Sequence, residues 1–298
     1  GKKCPSWSIS AEEVKHDKKK KIIKYKNAWL KIFDKPILYF PSFFHPDPTV
    51  KRQSGFLSPV LINSSYSGQS VQIPYYKVIS ENKDLTVSPR LFFDNNLLLQ
   101  TEYRQANKNS DAIFDVSYNR EGSQSKSHIF TNFSGKFNEN NYELNIQKVN
   151  GDKYLKLHEI KSPLINNQST LNSFLKFNNN GKNYLFDASV EVFEDLSKRS
   201  SDRYEYIYPN YNFSKNLGNL HSYSGNLNFA SSGFQKHFDT NVYEAKVIND
   251  LKYSSNSFIN NGFLNRFDFL IKNVNINSNN STNYNGHLEN KLLSTIMF

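Results

Sequence analysis

The sequence predicts an all-β fold, on three observations. Apolar and polar residues alternate with a period of two over long stretches, which in a pleated strand sends them to opposite faces. Asn150-Gly151, Asn180-Gly181 and Asn261-Gly262 fall between such stretches as hairpin signals, because glycine supplies the positive φ a tight turn demands. Seven of the 10 prolines lie between Pro36 and Pro89, and the tract from Arg90 onward holds only Pro163 and Pro209. Proline cannot donate to a β-ladder, so a tract nearly free of it can be continuous sheet.

Taken in chain order, the first element is basic. Gly1 to Lys35 contains 11 Lys against four acids, a local net of +7, which leaves +3 for the rest of a chain of formal charge +10. Lys18–Lys21 sits between two strand-like segments and is most simply a solvated hairpin turn; the competing reading is an acidic partner such as nucleic acid, an anionic lipid or a phosphorylated glycolipid. Gly1-Lys2-Lys3-Cys4 opens without Met, as in a processed product or an excised piece. The cluster Pro41-Ser42-Phe43-Phe44-His45-Pro46-Asp47-Pro48 is predicted to connect two regions. Downstream, Tyr142, Leu144 and Ile146 alternate with Glu143, Asn145 and Gln147. Tyr184, Phe186, Ala188, Val190 and Val192 share one face, and Tyr223, Leu227 and Phe229 another. Asn285-Gly286 lies inside a strand-like run and is a weaker turn signal. Lys153–Ile160 is the nearest candidate for a short helical turn.

The composition narrows the class. Mean hydropathy is −0.66, yet 24 Phe and 18 Tyr make the chain 15% aromatic, which a disordered chain would not be. No apolar run approaches the ~18 residues of a membrane-spanning helix, and a single Cys excludes an internal disulfide framework. A dozen or more strands of about ten residues fit two architectures. A soluble sandwich usually has shorter strands and more turns; an outer-membrane barrel has ~10-residue strands, interfacial aromatics and a polar lumen. Strand length favours the barrel.

No catalytic constellation emerges. The seven His are scattered, with no metal-ligand spacing, and there is no nucleophile elbow, phosphate loop or dinucleotide fingerprint. His158-Glu159 is read as a surface pair, since neighbours on a strand point to opposite faces. Basic and aromatic residues are segregated rather than interleaved, which argues against nucleic acid. No enzyme activity, metal or cofactor is expected.

The segment from Cys4 to Arg104 carries more specific motifs: Cys4-Pro5-Ser6-Trp7-Ser8-Ile9, Pro36-Ile37-Leu38-Tyr39-Phe40-Pro41, the run Pro46 to Pro59, Pro74-Tyr75-Tyr76, Asp84 to Arg90 and Glu102-Tyr103-Arg104, with an echo at Ser201 to Pro209. In these the chain resembles the LPS-assembly outer-membrane protein family LptD, also called organic solvent tolerance protein. The resemblance implies an interior fragment of a two-part protein. Residues 1–48 would be the C-terminal strands of a periplasmic β-jellyroll, and 49–298 the N-terminal portion of a large outer-membrane β-barrel, unclosed in this chain. The implied function is insertion of lipopolysaccharide into the outer leaflet through jellyroll, lumen and a lateral gate between first and last strands. By the same resemblance Pro59 and Pro74 match gate prolines, and Cys4 matches a jellyroll cysteine whose disulfide partner lies outside this chain. Implied partners are lipopolysaccharide, the plug lipoprotein LptE, the periplasmic bridge proteins and outer-membrane lipids. The alternatives are another outer-membrane barrel, porin or receptor, or a soluble carbohydrate-binding β-sandwich.

Overall fold

The computed structural model describes every residue except 1–6, 33, 95, 122–123, 200–201, 219–224, 239, 261, 285, 287 and 298, and the side chains of 7, 121, 258 and 260. The described residues form 21 strands and one helical turn. No helix among them is long and apolar enough to cross a membrane. The chain divides into two compact units, Gly1–Phe56 with Tyr76–Val78, and Leu57–Tyr75 with Ile79–Phe298.

The smaller unit is built on an antiparallel meander of β1 (Trp7–Asp17), β2 (Ile22–Ile32) and β3 (Lys35–Pro46). Lys18–Lys21 is an exposed turn between β1 and β2, fastened where the Lys20 N–H donates to Asp17 Oδ1 at 3.0 Å. Trp29 packs on Tyr39 at 4.9 Å and Tyr25 on Phe43 at 5.5 Å across β2 and β3. The proline cluster departs from its expected place as a connector: Pro41 and Pro46 lie inside β3. The reason is that β3 is the edge of this sheet, where a missing N–H leaves no neighbouring strand short of a bond. The short β4 (Gly55–Phe56) pairs with β7 (Tyr75–Ser80).

The larger unit is one antiparallel sheet. It starts with β5 (Val60–Ser64) and β6 (Gly68–Gln72), then β8 (Lys83–Phe92), β9 (Leu97–Ala106), β10 (Ser110–Glu121), β11 (Gln124–Phe137) and β12 (Asn140–Asn150). After α1 (Tyr154–Leu157) come β13 (Thr170–Asn180), β14 (Tyr184–Asp195), β15 (Tyr204–Gly218), β16 (Gly225–Phe238) and β17 (Tyr243–Ser255). A small hairpin of β18 (Phe258–Asn260) and β19 (Phe263–Asn265) stands apart, and β20 (Asp268–Asn279) and β21 (Glu289–Met297) complete the path. Each strand pairs with its sequence neighbour in the path, and β5 and β21 are its two ends.

Turn chemistry follows the sequence in part. Asn180-Gly181 opens the β13–β14 turn, and Gly262 at φ +81° turns β18 into β19. Asn261 and Asn285 lie outside the described residues, and Gly286 sits in the connector between β20 and β21 rather than in a strand. Gly151, at φ +113°, begins a long connector, residues 151–169, instead of a tight hairpin. That connector carries the predicted helical turn.

Gly233 has a packing role. A Cβ there would sit 2.8 Å from both the Lys246 carbonyl oxygen and the Tyr211 ring, so the tyrosine of β15 lies over the bare backbone of β16. An aromatic covering a glycine across strands restores the contact the glycine gives up.

Candidate functional site

The faces of the large sheet are inverted relative to a soluble protein. On β10, Asp115, Ser117 and Asn119 are 0%, 5% and 1% exposed, while the alternating Phe114, Val116 and Tyr118 are 43%, 40% and 53% exposed. Register extends this pattern across strands. One row runs Ala112–Phe133–Leu144–Leu175–Val190 through β10 to β14; the next row on the opposite face runs Asp111–Ser134–Glu143–Lys176–Ser189. On the apolar face, Tyr142, Phe177, Phe186, Phe213 and Phe229 form a string over β12 to β16, with successive ring centroids 5.2, 6.0, 6.3 and 6.2 Å apart. An exposed apolar face of this extent has no place in water, whereas hydrocarbon suits it and aromatics gather at its border.

The charged face holds the unit's core. Connector 151–169 lies on it, placing Tyr154, Leu155 and Ile160 against Phe92, Leu98, Phe130 and Val149 of the sheet. Leucine and lysine favour the single turn of α1, which has no side-chain N-cap and ends before Glu159 at φ +49°. A helix this short is held by packing rather than propensity.

Polar grips from the sheet surround that core. Ser64 Oγ donates to Leu157 O (3.4 Å), Arg90 Nη1 to His158 O, Gln100 Nε2 to Lys161 O (2.9 Å) and Gln147 Nε2 to Leu164 O (2.7 Å). Beneath them, Ser117 Oγ lies 2.6 Å from Tyr154 OH and 2.6 Å from His128 Nδ1, whose Nε2 is 3.3 Å from Asp115 Oδ1. Gln100 donates to both Asp115 oxygens at 3.0 and 3.1 Å. Burial pushes the Tyr154 phenol up to about 12, so it stays protonated and available as a donor. Ser117, His128 and Asp115 have the residue types of a nucleophilic triad. Their side chains are enclosed beneath Tyr154, so the arrangement braces the connector and offers a substrate no approach.

His158 is corrected from a surface residue to a buried one. It is 3% exposed, with Nε2 3.3 Å from Asn119 Nδ2 and its ring edge-on to Phe92. It sits in a folded-back connector, where strand alternation does not govern direction. Glu159 is exposed.

The start of the connector is tethered by charge. Arg203 Nη2 bonds Asp152 Oδ1 at 2.8 Å and Glu194 Oε1 at 2.7 Å, and Glu194 also accepts from Lys148 (2.9 Å) and Tyr204 (2.8 Å). The Arg203 hydrogen bond holds Asp152 below the ordinary carboxylate value, and the two carboxylates raise Arg203. Farther along the charged face lies a hollow of about 700 Å³, bordered by Asp111, Lys136, Glu143, Lys176, Asp187 and Glu191 among others.

Pro59 and Pro74 flank the first hairpin, β5–β6, one before it and one after. Pro59 stands in the gap between β4 and β5, and Pro74 in the gap between β6 and β7. Leu57 N–H donates to Pro74 O at 2.9 Å, and Pro74 has no N–H to return the bond. A third proline, which sequence reasoning left within a motif, repeats this: Ile73 N–H donates to Pro89 O at 3.0 Å, again unreciprocated. Its signal was available in the sequence, as a proline inside a strand of otherwise good β-formers. Cys4 lies outside the described residues.

An antiparallel sheet with an exposed apolar face, an aromatic string along it and a charged face opposite is the wall of a transmembrane β-barrel. No protein-family model matches the chain. Curated relatives do: it is 35% identical over 123 residues to the LPS-assembly protein LptD of Nitrosomonas europaea, covering 39% of this chain and 16% of the relative. It is 36% identical over 105 residues to that of Nitrosomonas eutropha, 34% of this chain and 14% of the relative. It is 31% identical over 153 residues to that of Cupriavidus pinatubonensis, 50% and 19% respectively. Over these segments the chain is similar to LPS-assembly proteins LptD; in each of these three matches it spans less than a fifth of the relative's length.

Proposed function

We propose that this chain is part of an outer-membrane machine that places lipopolysaccharide in the outer leaflet. The observation that carries the proposal is the inverted sheet, whose apolar face suits lipid and whose charged face suits a sugar-bearing cargo. In this reading residues 1–48 belong to a periplasmic jellyroll and 49–298 to the barrel wall. The charged face lines the lumen, and the plug lipoprotein LptE and the periplasmic bridge proteins are its partners. Lipid A passes from jellyroll to membrane while the sugar chain leaves between the first and last strands.

Pro59 and Pro74 would loosen the first strand at that seam. Each proline removes a donor, so the first hairpin is held by fewer bonds where the strand must part from its neighbour. Cys4 would pair with a cysteine beyond this chain, tying jellyroll to barrel in the oxidising periplasm. Replacing both prolines with Ala in the full-length protein tests the gate. Surface lipopolysaccharide is expected to fall in the double variant; export at the parent level would remove the gate from the mechanism. Cys4 is expected to run oxidised in non-reducing gels of the complete protein, and a free thiol there would remove the disulfide.

A further inference from the structure

Alternate connectors of the meander lie at opposite ends of the strands. The chain enters the large sheet at Leu57, at the end shared by the β8–β9 partners Lys83 and Gln105. Connector 151–169 and residues 196–199 are at the other end, and between them is a cavity of about 320 Å³. Lys153, Lys156 and Arg199 border it, Leu157 and Leu196 give it an apolar floor, and Gln168 lies on its wall with one amide N–H donated to Ile160 O at 3.1 Å and the rest of the amide not so engaged. The one carboxylate on its wall, Asp152, is already bonded to Arg203. Lys153, Lys156 and Arg199 make no ion pair or side-chain hydrogen bond among the described residues, and all three are exposed.

We infer that this cavity binds a phosphate-bearing sugar. Three cations bordering a small concave space match a compact anion with several acceptor oxygens. The leucine floor and the glutamine amide suit the apolar face and hydroxyls of one saccharide ring. The volume lies at the lower end of small-molecule pockets, which span roughly 300–1,000 Å³. Two sources offer this chemistry, a glycolipid headgroup and a soluble sugar phosphate. The cavity opens beyond the strand ends, where the headgroup of an outer-leaflet glycolipid would stand; that assignment rests on the barrel reading above, whereas the sugar-phosphate site itself does not.

The test is calorimetric titration of the full-length protein in detergent micelles with glucose 1-phosphate, glucose, inorganic phosphate, and lipopolysaccharide before and after enzymatic dephosphorylation. Glucose 1-phosphate is expected to bind and glucose not, with inorganic phosphate weaker for want of ring contacts. Lys153→Gln/Lys156→Gln/Arg199→Gln is expected to weaken glucose 1-phosphate at least tenfold, while Lys153→Arg/Lys156→Arg retains it. Equal binding by parent and triple-Gln variant, or equal binding of glucose and glucose 1-phosphate, overturns the site. Inorganic phosphate binding as tightly as the sugar phosphate overturns the saccharide specificity. If glucose 1-phosphate binds but phosphorylated lipopolysaccharide does no better than its dephosphorylated form, the glycolipid source falls and the site stands. Binding is read on purified protein, so its failure is separate from any failure of the proline variants in export.

Discussion

Tyr154 is fixed by its ring, 1% exposed, and by a hydroxyl shared with Ser117. Tyr154→Phe keeps the packing and removes that bond, so docking of connector 151–169 should weaken by about 1 kcal/mol; Leu155→Ala, which empties a fully buried site, should cost about 2–5 kcal/mol. Hydrogen exchange across 151–169 reads both, and unchanged protection in Leu155→Ala would show that the connector is held by something other than this core. Titration gives a second handle at each side of neutrality. The folded Tyr154 value is raised, so its contribution is complete below the ordinary phenol value and is lost as pH rises through about 12. The folded Asp152 value is lowered by Arg203, so that contribution is present above the ordinary carboxylate value and lost as pH falls through its folded value. Protection factors, with the intrinsic pH dependence of amide exchange divided out, should therefore be flat near neutrality and fall at both extremes, below about pH 4 and above about pH 10. The acid arm should be the smaller and the more salt-sensitive, because the Asp152 side chain is 43% exposed and screened by solvent.

Strand β10 separates membrane wall from soluble sheet in one substitution. In water, Val116→Lys at a 40%-exposed position should change stability by no more than about 0.5 kcal/mol. In a bilayer the same lysine on the lipid face should cost about 2–4 kcal/mol near the midplane. Denaturant unfolding of the full-length protein in lipid vesicles distinguishes the two, and a neutral result would argue for a water-facing sheet. The strands themselves were legible: alternation at Asn141–Val149 and Tyr184–Val192 became β12 and β14, and Lys153–Ile160 became α1. Which face is covered was not legible, since Tyr142, Leu144 and Ile146 alternate identically whether they meet a core or lipid. Nor was the docking of the connector, because Tyr154 and His158 find the side-chain partners Ser117 and Asn119 37 and 39 residues away, on a strand whose register no local pattern reveals. The prolines of β3 misled for a related reason: edge position is a property of the sheet and not of the segment.

At the scale of the whole molecule, the sheet path ends at β5 and β21, which are not paired with each other. Residues 57–298 alone should therefore associate in water through free edges and the apolar face, and disperse in detergent micelles. Sedimentation of that piece in both media checks this; a water-soluble monomer would favour a carbohydrate-binding sandwich over a barrel wall. The four grips on connector 151–169 have one further consequence. Ser64, Arg90, Gln100 and Gln147 each seize a main-chain oxygen, at Leu157, His158, Lys161 and Leu164. Every amino acid presents that oxygen, so the clasp holds its position without dictating what the connector displays. Glu159, Lys161, Asn166 and Asn167 are exposed, and their side chains take no part in it. A connector held this way can change its outward chemistry while its anchorage stays in register.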